Sequence, residues 1–325
     1  MNKIIPYYHP TTVGFIDDNA RFINSVADFA PNTITPKVFY TPEDALDWVN
    51  AIKPRPPLAH ECFSLHGNTV RFDVSALEEE IKRPERFERV SVFVVDYAMP
   101  TMNGVDFCAE LADRDIRCLL LTGVADEKIA VAAFNRSLIH RYVPKANLHE
   151  MSDVFEHVQE LERQYFAEYG QSIALSLATN RADFEWMRQI EQFLHDTQRS
   201  LNAVEYYLLD NPRGYLFLDR YGQATRMVVL SQEEIEHELQ RCLTLGAPQE
   251  FREEAYAQTK LPYLMEDPRD YRGRDEFPWA EALHPYTVIE GWCIAVVANP
   301  PADVDFDPDV SSYDAYLSRL DGASG

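Results

Sequence analysis

Five apolar runs punctuate the first 150 residues, and each stops at a polar side chain. Residues 12–16 (TVGFI) stop at Asp17-Asp18, 37–40 (KVFY) at Thr41, 90–95 (VSVFVV) at Asp96, 118–121 (CLLL) at Thr122-Gly123, and 140–144 (HRYVP) at Lys145. Short runs rich in β-branched and aromatic residues, bounded by polar ones, predict buried strands. Helical stretches separate them. One covers 19–30 and is closed by Pro31. Another opens at Thr41-Pro42-Glu43-Asp44, where Thr41 suits the N-cap, Pro42 the first helical position, and the acids the positive end of the helix dipole. Alternating strands and helices predict an α/β domain: a doubly wound, five-stranded parallel sheet covered on both faces. In such sheets ligands bind beyond the carboxyl ends of the strands. The pattern alone therefore places Asp17, Asp18, Asp96, Thr122 and Lys145 on one rim.

Residues 53–90 interrupt this alternation. A proline-rich break (KPRPP) leads into CFSLHGNTVRFDV, which predicts a hairpin turning at Gly67-Asn68, and then a short charged helix near 75–82. The stretch reads as an insertion before the third strand of a domain spanning 1–149. Met151, Val154, Val158, Leu161 and Tyr165 repeat at 3-4-3-4 spacing on a helix over 147–170. This is a heptad seam, compatible with packing on the domain's own sheet or with a coiled-coil dimer. A second helix over 182–203 completes a helical linker or dimerisation region at 150–210. Residues 211–325 predict a small α+β domain. Its hairpins are 215–218 with 225–230 around Gly222, and 286–290 with 292–298 around Glu290-Gly291; its helices cover 232–243 and 249–258. The tail from about 300 is acidic and weakly patterned.

Composition changes the picture mainly through charge. The 325 residues carry 53 acidic and 30 basic side chains, a net of −23. Residues 1–149 hold 16 basic and 20 acidic groups, whereas 150–325 hold 14 and 33. A C-terminal half this acidic is repelled by phosphate backbones, so DNA is not expected as a partner. No apolar run reaches the ~18 residues that span a membrane, and MNKIIPYYHP lacks the apolar core of a secretory signal. Five cysteines without a CxxC pair point to free thiols in a reducing, cytoplasmic compartment.

The rim carries the candidate chemistry. Two adjacent carboxylates and a third on a neighbouring strand suit Mg²⁺, which takes few carboxylates and keeps room for water and phosphate oxygens. A carboxylate nucleophile accepts a phosphoryl group when a cation offsets the repulsion between two anions. A lysine and a threonine hydroxyl can hold the remaining phosphoryl oxygens.

DYAMPTMNG, from Asp96 to Gly104, resembles the signature of the receiver domain of bacterial two-component response regulators. Asp17-Asp18 resembles the family's acidic pair, Thr122-Gly123 its hydroxyl residue followed by a small one, and Tyr142 its switch aromatic three residues before the lysine, Lys145. The resemblance covers about residues 11–149 and implies a flavodoxin-like fold. It implies that Asp96 accepts the phosphoryl group, that Asp18 and Asp96 bind Mg²⁺ directly, that Asp17 binds through water, and that the Ala98 carbonyl adds a ligand. Lys145 and Thr122 would hold the phosphoryl group, and Tyr142 would turn inward as Thr122 moves. The phosphodonor would be a sensor histidine kinase or phosphotransfer protein. Two features depart from the family: Ala146 follows the lysine where proline is common, with Pro144 preceding it, and the 53–90 insertion is unusual. Ala98 and Val124 are apolar where the family controls water access, which implies slow self-hydrolysis.

The C-terminal half shows no Walker loop, HExxH, GxSxG or zinc pattern, and none of the motifs of cyclic-nucleotide or helix-turn-helix output domains. It reads first as a non-enzymatic protein-interaction or homodimerisation module. The alternative is a nucleotide-binding or enzymatic output with Arg269, Arg272 and Arg274 as phosphate contacts, although Asp267, Asp270, Asp275 and Glu276 offer these arginines nearer partners. Other candidates have plain readings as well. Asp17-Asp18 can cap the following helix, His60, Cys62 and His66 can be loop residues or zinc ligands, and Cys108 and Cys118 suit core packing.

Overall fold

The computed structural model describes residues 5–53, 58–66, 69–123, 127–147, 151–180, 188–210, 212–257, 259–264, 277–300 and 304–323. Its chain forms two compact units that do not follow the linear halves. One comprises residues 9–57 and 85–169; the other comprises 1–8, 58–84 and 170–325.

The chain opens on the short strand β1 (Tyr7–Tyr8), which belongs to the second of these units. Strands β2 (Thr11–Ile16) and β3 (Ile34–Phe39) follow, with helix α1 (Ala20–Phe29) between them and α2 (Pro42–Ala51) after. The chain then leaves the first unit for α3 (Leu58–Glu61), the hairpin strands β4 (Phe63–His66) and β5 (Thr69–Phe72), and α4 (Ser75–Lys82). It returns through a 3-10 turn at Pro84–Glu88 to β6 (Val90–Asp96), α5 (Gly104–Glu110), β7 (Arg117–Thr122), α6 (Glu127–Asn135) and β8 (Arg141–Pro144).

The five strands of the first unit form one all-parallel sheet in the order β3-β2-β6-β7-β8. The expected doubly wound α/β sheet is present. β2 and β6 are buried along their whole length, because alternate side chains feed a core on each face. Ile16, Phe93, Val95, Leu120 and Cys118 pack with Ala45, Val49, Phe107 and Cys108 on one face. On the other, Val13, Phe15, Val92, Val94 and Leu121 pack with Ile23 and Val26, and with Val154, Phe155, Val158 and Leu161. The last four lie on α7 (Met151–Asn180). The heptad seam from Met151 to Leu161 is thus spent on the domain's own sheet, while Tyr165 is buried against Phe166 and Tyr169. The predicted helix runs past residue 170, and from Gly170 onward it belongs to the second unit.

The second unit continues with α8 (Glu191–Ser200), β9 (Glu205–Leu209), β10 (Gly214–Leu218), β11 (Ala224–Leu230), α9 (Gln232–Thr244) and α10 (Gln249–Tyr256). It ends with β12 (Lys260–Pro262), β13 (Leu283–Pro285), β14 (Thr287–Ile289), β15 (Trp292–Ala298), α11 (Pro308–Ser311) and α12 (Tyr313–Ala323). Its main sheet is antiparallel, in the order β1-β9-β10-β11-β15-β14. Both predicted hairpins are present, β10 with β11 and β14 with β15.

Three expectations about this half need correction. The sheet does not begin at residue 211: β9, with all five residues buried, falls in the expected linker, because EYYLL is apolar enough to form a fully covered strand. The insertion does not stay with the parallel sheet, since α4 packs on β9 and Ser311 donates to the Lys82 carbonyl at 2.9 Å. The tail is not patternless either, because Asp307 caps α11, and Tyr313 and Tyr316 on α12 are buried. The Gly67-Asn68 turn, Val124 and the Arg269, Arg272 and Arg274 cluster lie outside the described residues.

Candidate functional site: an acidic rim on the parallel sheet

The register of the sheet brings the rim together. Asp96, the last residue of β6, lies opposite Leu121 on β7, and Thr122 lies opposite Pro144 on β8. Each strand therefore hands its next polar residue to the same end. Asp17, Asp18 and Asp96 bring carboxylate oxygens within 4.8 Å of one another, the one such metal-holding group among the described residues. Lys145 spans the cluster, with its ammonium 2.9 Å from Asp17 Oδ2 and 3.0 Å from Asp96 Oδ2. It also stands 5.8 Å from the centre of the Phe22 ring, within cation–π range. The proline before Lys145 and the alanine after it do not displace the ammonium; a 3-10 turn at Lys145–Asn147 carries it to the rim.

Asp17 and Asp18 do not cap α1. That role falls to Asn19, whose side chain accepts from the Arg21 amide. Asp17 is fully buried, and its Oδ1 accepts from the Asn19 amide at 2.8 Å. Burial pushes its carboxyl above the usual range and the Asp96 charge adds to this, against the Lys145 and Asn19 hydrogen bonds. Asp18 is exposed. Burial disfavours the charge on Lys145, but its hydrogen bond to Asp17 and the two carboxylate charges outweigh that and hold it above the ordinary lysine range. Thr122 is fully buried, yet its hydroxyl has no hydrogen-bond partner. Buried hydroxyls are rarely left this way, and an acceptor arriving from outside the chain would satisfy it. Ala98 is exposed beside the rim, and Tyr142 is half-buried, edge-on to Phe134 with ring centres 6.4 Å apart.

Gly104 explains the shape of the turn after Asp96. Its amide donates to the Tyr97 carbonyl at 3.0 Å as the chain folds back. A Cβ here would stand 2.4 Å from the Asp96 carbonyl oxygen. Asn103 then caps α5 by accepting from the Val105 and Asp106 amides.

No protein-family profile matches the chain. A structure of the Legionella pneumophila response regulator LqsR aligns with 99% of this chain and 98% of its own length, at 27% identity and a TM-score of 0.73. A curated relative from Xanthomonas campestris pv. campestris (strain 8004) is 29% identical over 169 residues. It is named cyclic di-GMP phosphodiesterase response regulator RpfG, and the match spans 49% of this chain and 42% of that relative. The chain is a response regulator, and its parallel sheet is the receiver domain.

Two other groups in this response regulator behave as packing residues. Cys62 is buried, and burial, with the charges of Asp73 and Glu61, pushes its thiol up to about 12. Cys108 and Cys118 are buried in the receiver core, and the Cys108 thiol is pushed up by its hydrogen bond to Cys118 and by burial. Sequence reasoning missed Glu162, which is fully buried on α7. A signal was present: at 100° per residue, position 162 falls between Phe155 and Val158 on the apolar face.

Proposed function

We propose that this response regulator accepts a phosphoryl group on Asp96 in a Mg²⁺-dependent reaction. The new charge then alters a C-terminal output unit that acts through protein contacts or self-association, not through DNA. The observation that carries the reading is Lys145 held between Asp17 and Asp96 within 3.0 Å of each, beside a buried Thr122 hydroxyl with no partner. That set of groups suits a phosphoryl group better than it suits structural cohesion. A cohesive core would leave neither an unsatisfied hydroxyl nor a third carboxylate at the same point.

Asp17, Asp18 and Asp96 fit Mg²⁺, with the Ala98 carbonyl as a further oxygen ligand; the cation would offset the repulsion between the carboxylates and an incoming phosphate. An Asp96 oxygen attacks phosphorus. The new O–P bond forms as the N–P bond of a phosphohistidine on a sensor kinase or phosphotransfer protein breaks, and the donor imidazole keeps the electron pair. Lys145 then exchanges its contact with Asp96 for the phosphoryl oxygens, and the Thr122 hydroxyl donates to another. Thr122 leaves space next to Tyr142, whose inward turn shifts the population of one receiver face. No long apolar helix capable of crossing a membrane occurs among the described residues.

The test is solution mass by light scattering in Mg²⁺, before and after beryllofluoride, for wild type and Asp96→Asn. A mass change confined to wild type supports Asp96 as the switch and self-association as the output. The same mass change in both proteins overturns the assignment of Asp96, whereas no change in either leaves it standing and points to an output that exposes a partner surface.

A further inference from the structure

The phosphoacceptor rim uses the carboxyl ends of β2, β6 and β7. A second buried polar group lies at the opposite ends of β2 and β6. Thr11 opens β2 and Ser91 is the second residue of β6; both are fully buried, and Glu162 of α7 reaches them from the covering helix. The two hydroxyls lie 2.6 Å apart. Thr11 donates to Glu162 Oε1, and the Ser91 hydroxyl lies 3.5 Å from the same oxygen. Glu162 Oε2 is buried without a partner. An ionised carboxylate here would carry charge on a buried oxygen that no protein donor reaches, which disfavours the charged form. The neutral acid leaves only an unfilled hydrogen bond.

We propose that Glu162, Thr11 and Ser91 form a proton-dependent latch that seats helix α7 on the receiver sheet. The protonated carboxyl lets the helix lie flat on β2 and β6; ionisation favours the loosened helix, where the carboxylate meets water. α7 is also one of the segments through which the chain passes from the receiver into the C-terminal unit, so the latch acts on a covalent connection between the two.

The surroundings are consistent with a neutral acid. β2 and β6 present hydroxyls, and the preceding residues offer buried His9, whose ring meets Phe87 and Phe166 edge-on, and Arg89, which reaches the Tyr165 hydroxyl. The turn before β6 holds Arg86 over the Phe87 ring. On its own helix, Arg163 supplies a field that favours ionisation, but burial outweighs it together with the two hydroxyls, and the Glu162 carboxyl is pushed up to about 8.

The linkage has a definite sign. The folded value lies above the ordinary 4.5 of a glutamate, so seating is unpenalised below about 4.5 and weakens as pH rises towards about 8. Above that both states are ionised and no further loss occurs. The experiment is hydrogen–deuterium exchange of the full chain from about pH 5 to about pH 9, corrected for the intrinsic rate and read over the amides of 155–166. The wild-type opening constant is expected to climb by up to ~10-fold per pH unit and then flatten. Glu162→Gln, nearly isosteric and always neutral, gives a flat profile with phosphoryl uptake unchanged. Thr11→Val, which removes a donor to the ionised form, moves the plateau to higher pH and keeps the test available if the glutamine variant folds poorly. A wild-type profile as flat as that of Glu162→Gln, or a Thr11→Val plateau that stays in place, overturns the latch without touching the assignment of Asp96.

Discussion

The receiver sheet and the C-terminal sheet treat charged residues in opposite ways. In the receiver, strands β2, β6 and β7 are apolar through their middles, and the acids of the sheet's strands stand at the rim, with Asp96 ending β6 and Asp17 following β2. In the C-terminal unit, charges sit within the strands. Glu205 on β9 and Arg226 on β11 are both fully buried; Glu205 accepts from the Tyr207 hydroxyl at 2.6 Å, and the Arg226 guanidinium donates to the Pro212 and Met227 carbonyls. Charges gathered at an accessible edge are available to a ligand, whereas charges satisfied inside a sheet hold that sheet together. The difference teaches where chemistry can occur: a buried acid becomes a reactive group only where the fold leaves room for something else to meet it.

The largest expected effect separates the two kinds of acid. Asp96→Asn is expected to abolish phosphoryl uptake from a small-molecule donor, read by Mg²⁺-dependent labelling, with little loss of stability. Arg226→Met should leave uptake intact and lower stability by about 2–4 kcal/mol in urea unfolding, because buried carbonyls lose charged donors. Reversal of that pattern would dissolve the distinction between rim and cohesion.

The next prediction concerns how each unit is assembled. A fragment covering residues 170–325 lacks β1, which pairs with β9, and α4, which packs on it. It is expected to show no sharp thermal transition by calorimetry, while the full chain does. A sharp transition in the fragment would make the two outlying segments dispensable.

Smaller effects sharpen the picture locally. Gly104→Ala should cost about 1–3 kcal/mol, since its Cβ meets the Asp96 carbonyl and the turn must shift. Phosphoryl uptake should fall with it, because that turn positions Asp96. Helix caps should cost the same in both units: Asn103→Ala on α5, and Ser231→Ala on α9, where Ser231 and Glu234 form a capping box, about 1 kcal/mol each by chemical denaturation. Equal cap effects beside unequal effects on uptake would show that the units differ in chemistry and not in local helix energetics.

Much of the receiver was readable because each of its signals is local. A run such as VSVFVV followed by Asp96 states both the buried strand and the point where it ends. Five such runs in chain order define the rim, since strands of a parallel sheet all terminate their polar groups on one side. The heptad seam was also readable, but its partner was not: whether Val154 and Val158 meet a second chain or the home sheet is decided by which apolar surface is nearest after folding. The Zn²⁺ alternative at Cys62 illustrates the same limit, because spacing reports which ligand types are close in sequence and says nothing about which of them the fold buries, as it does Cys62.

By itself, the sequence determined the five strands, the cap at Thr41, and the identities of Asp17, Asp18, Asp96, Thr122 and Lys145 as one set, because periodicity and strand ends are properties of neighbouring residues. Only the tertiary structure decided that residues 1–8 and 58–84 join the C-terminal unit, that Glu162 shares a buried site with Thr11 and Ser91, and that the Thr122 hydroxyl is left without a partner. Those outcomes depend on contacts between residues up to 229 positions apart along the chain. Their free energies come from burial and desolvation, which exist only once the distant segments have met.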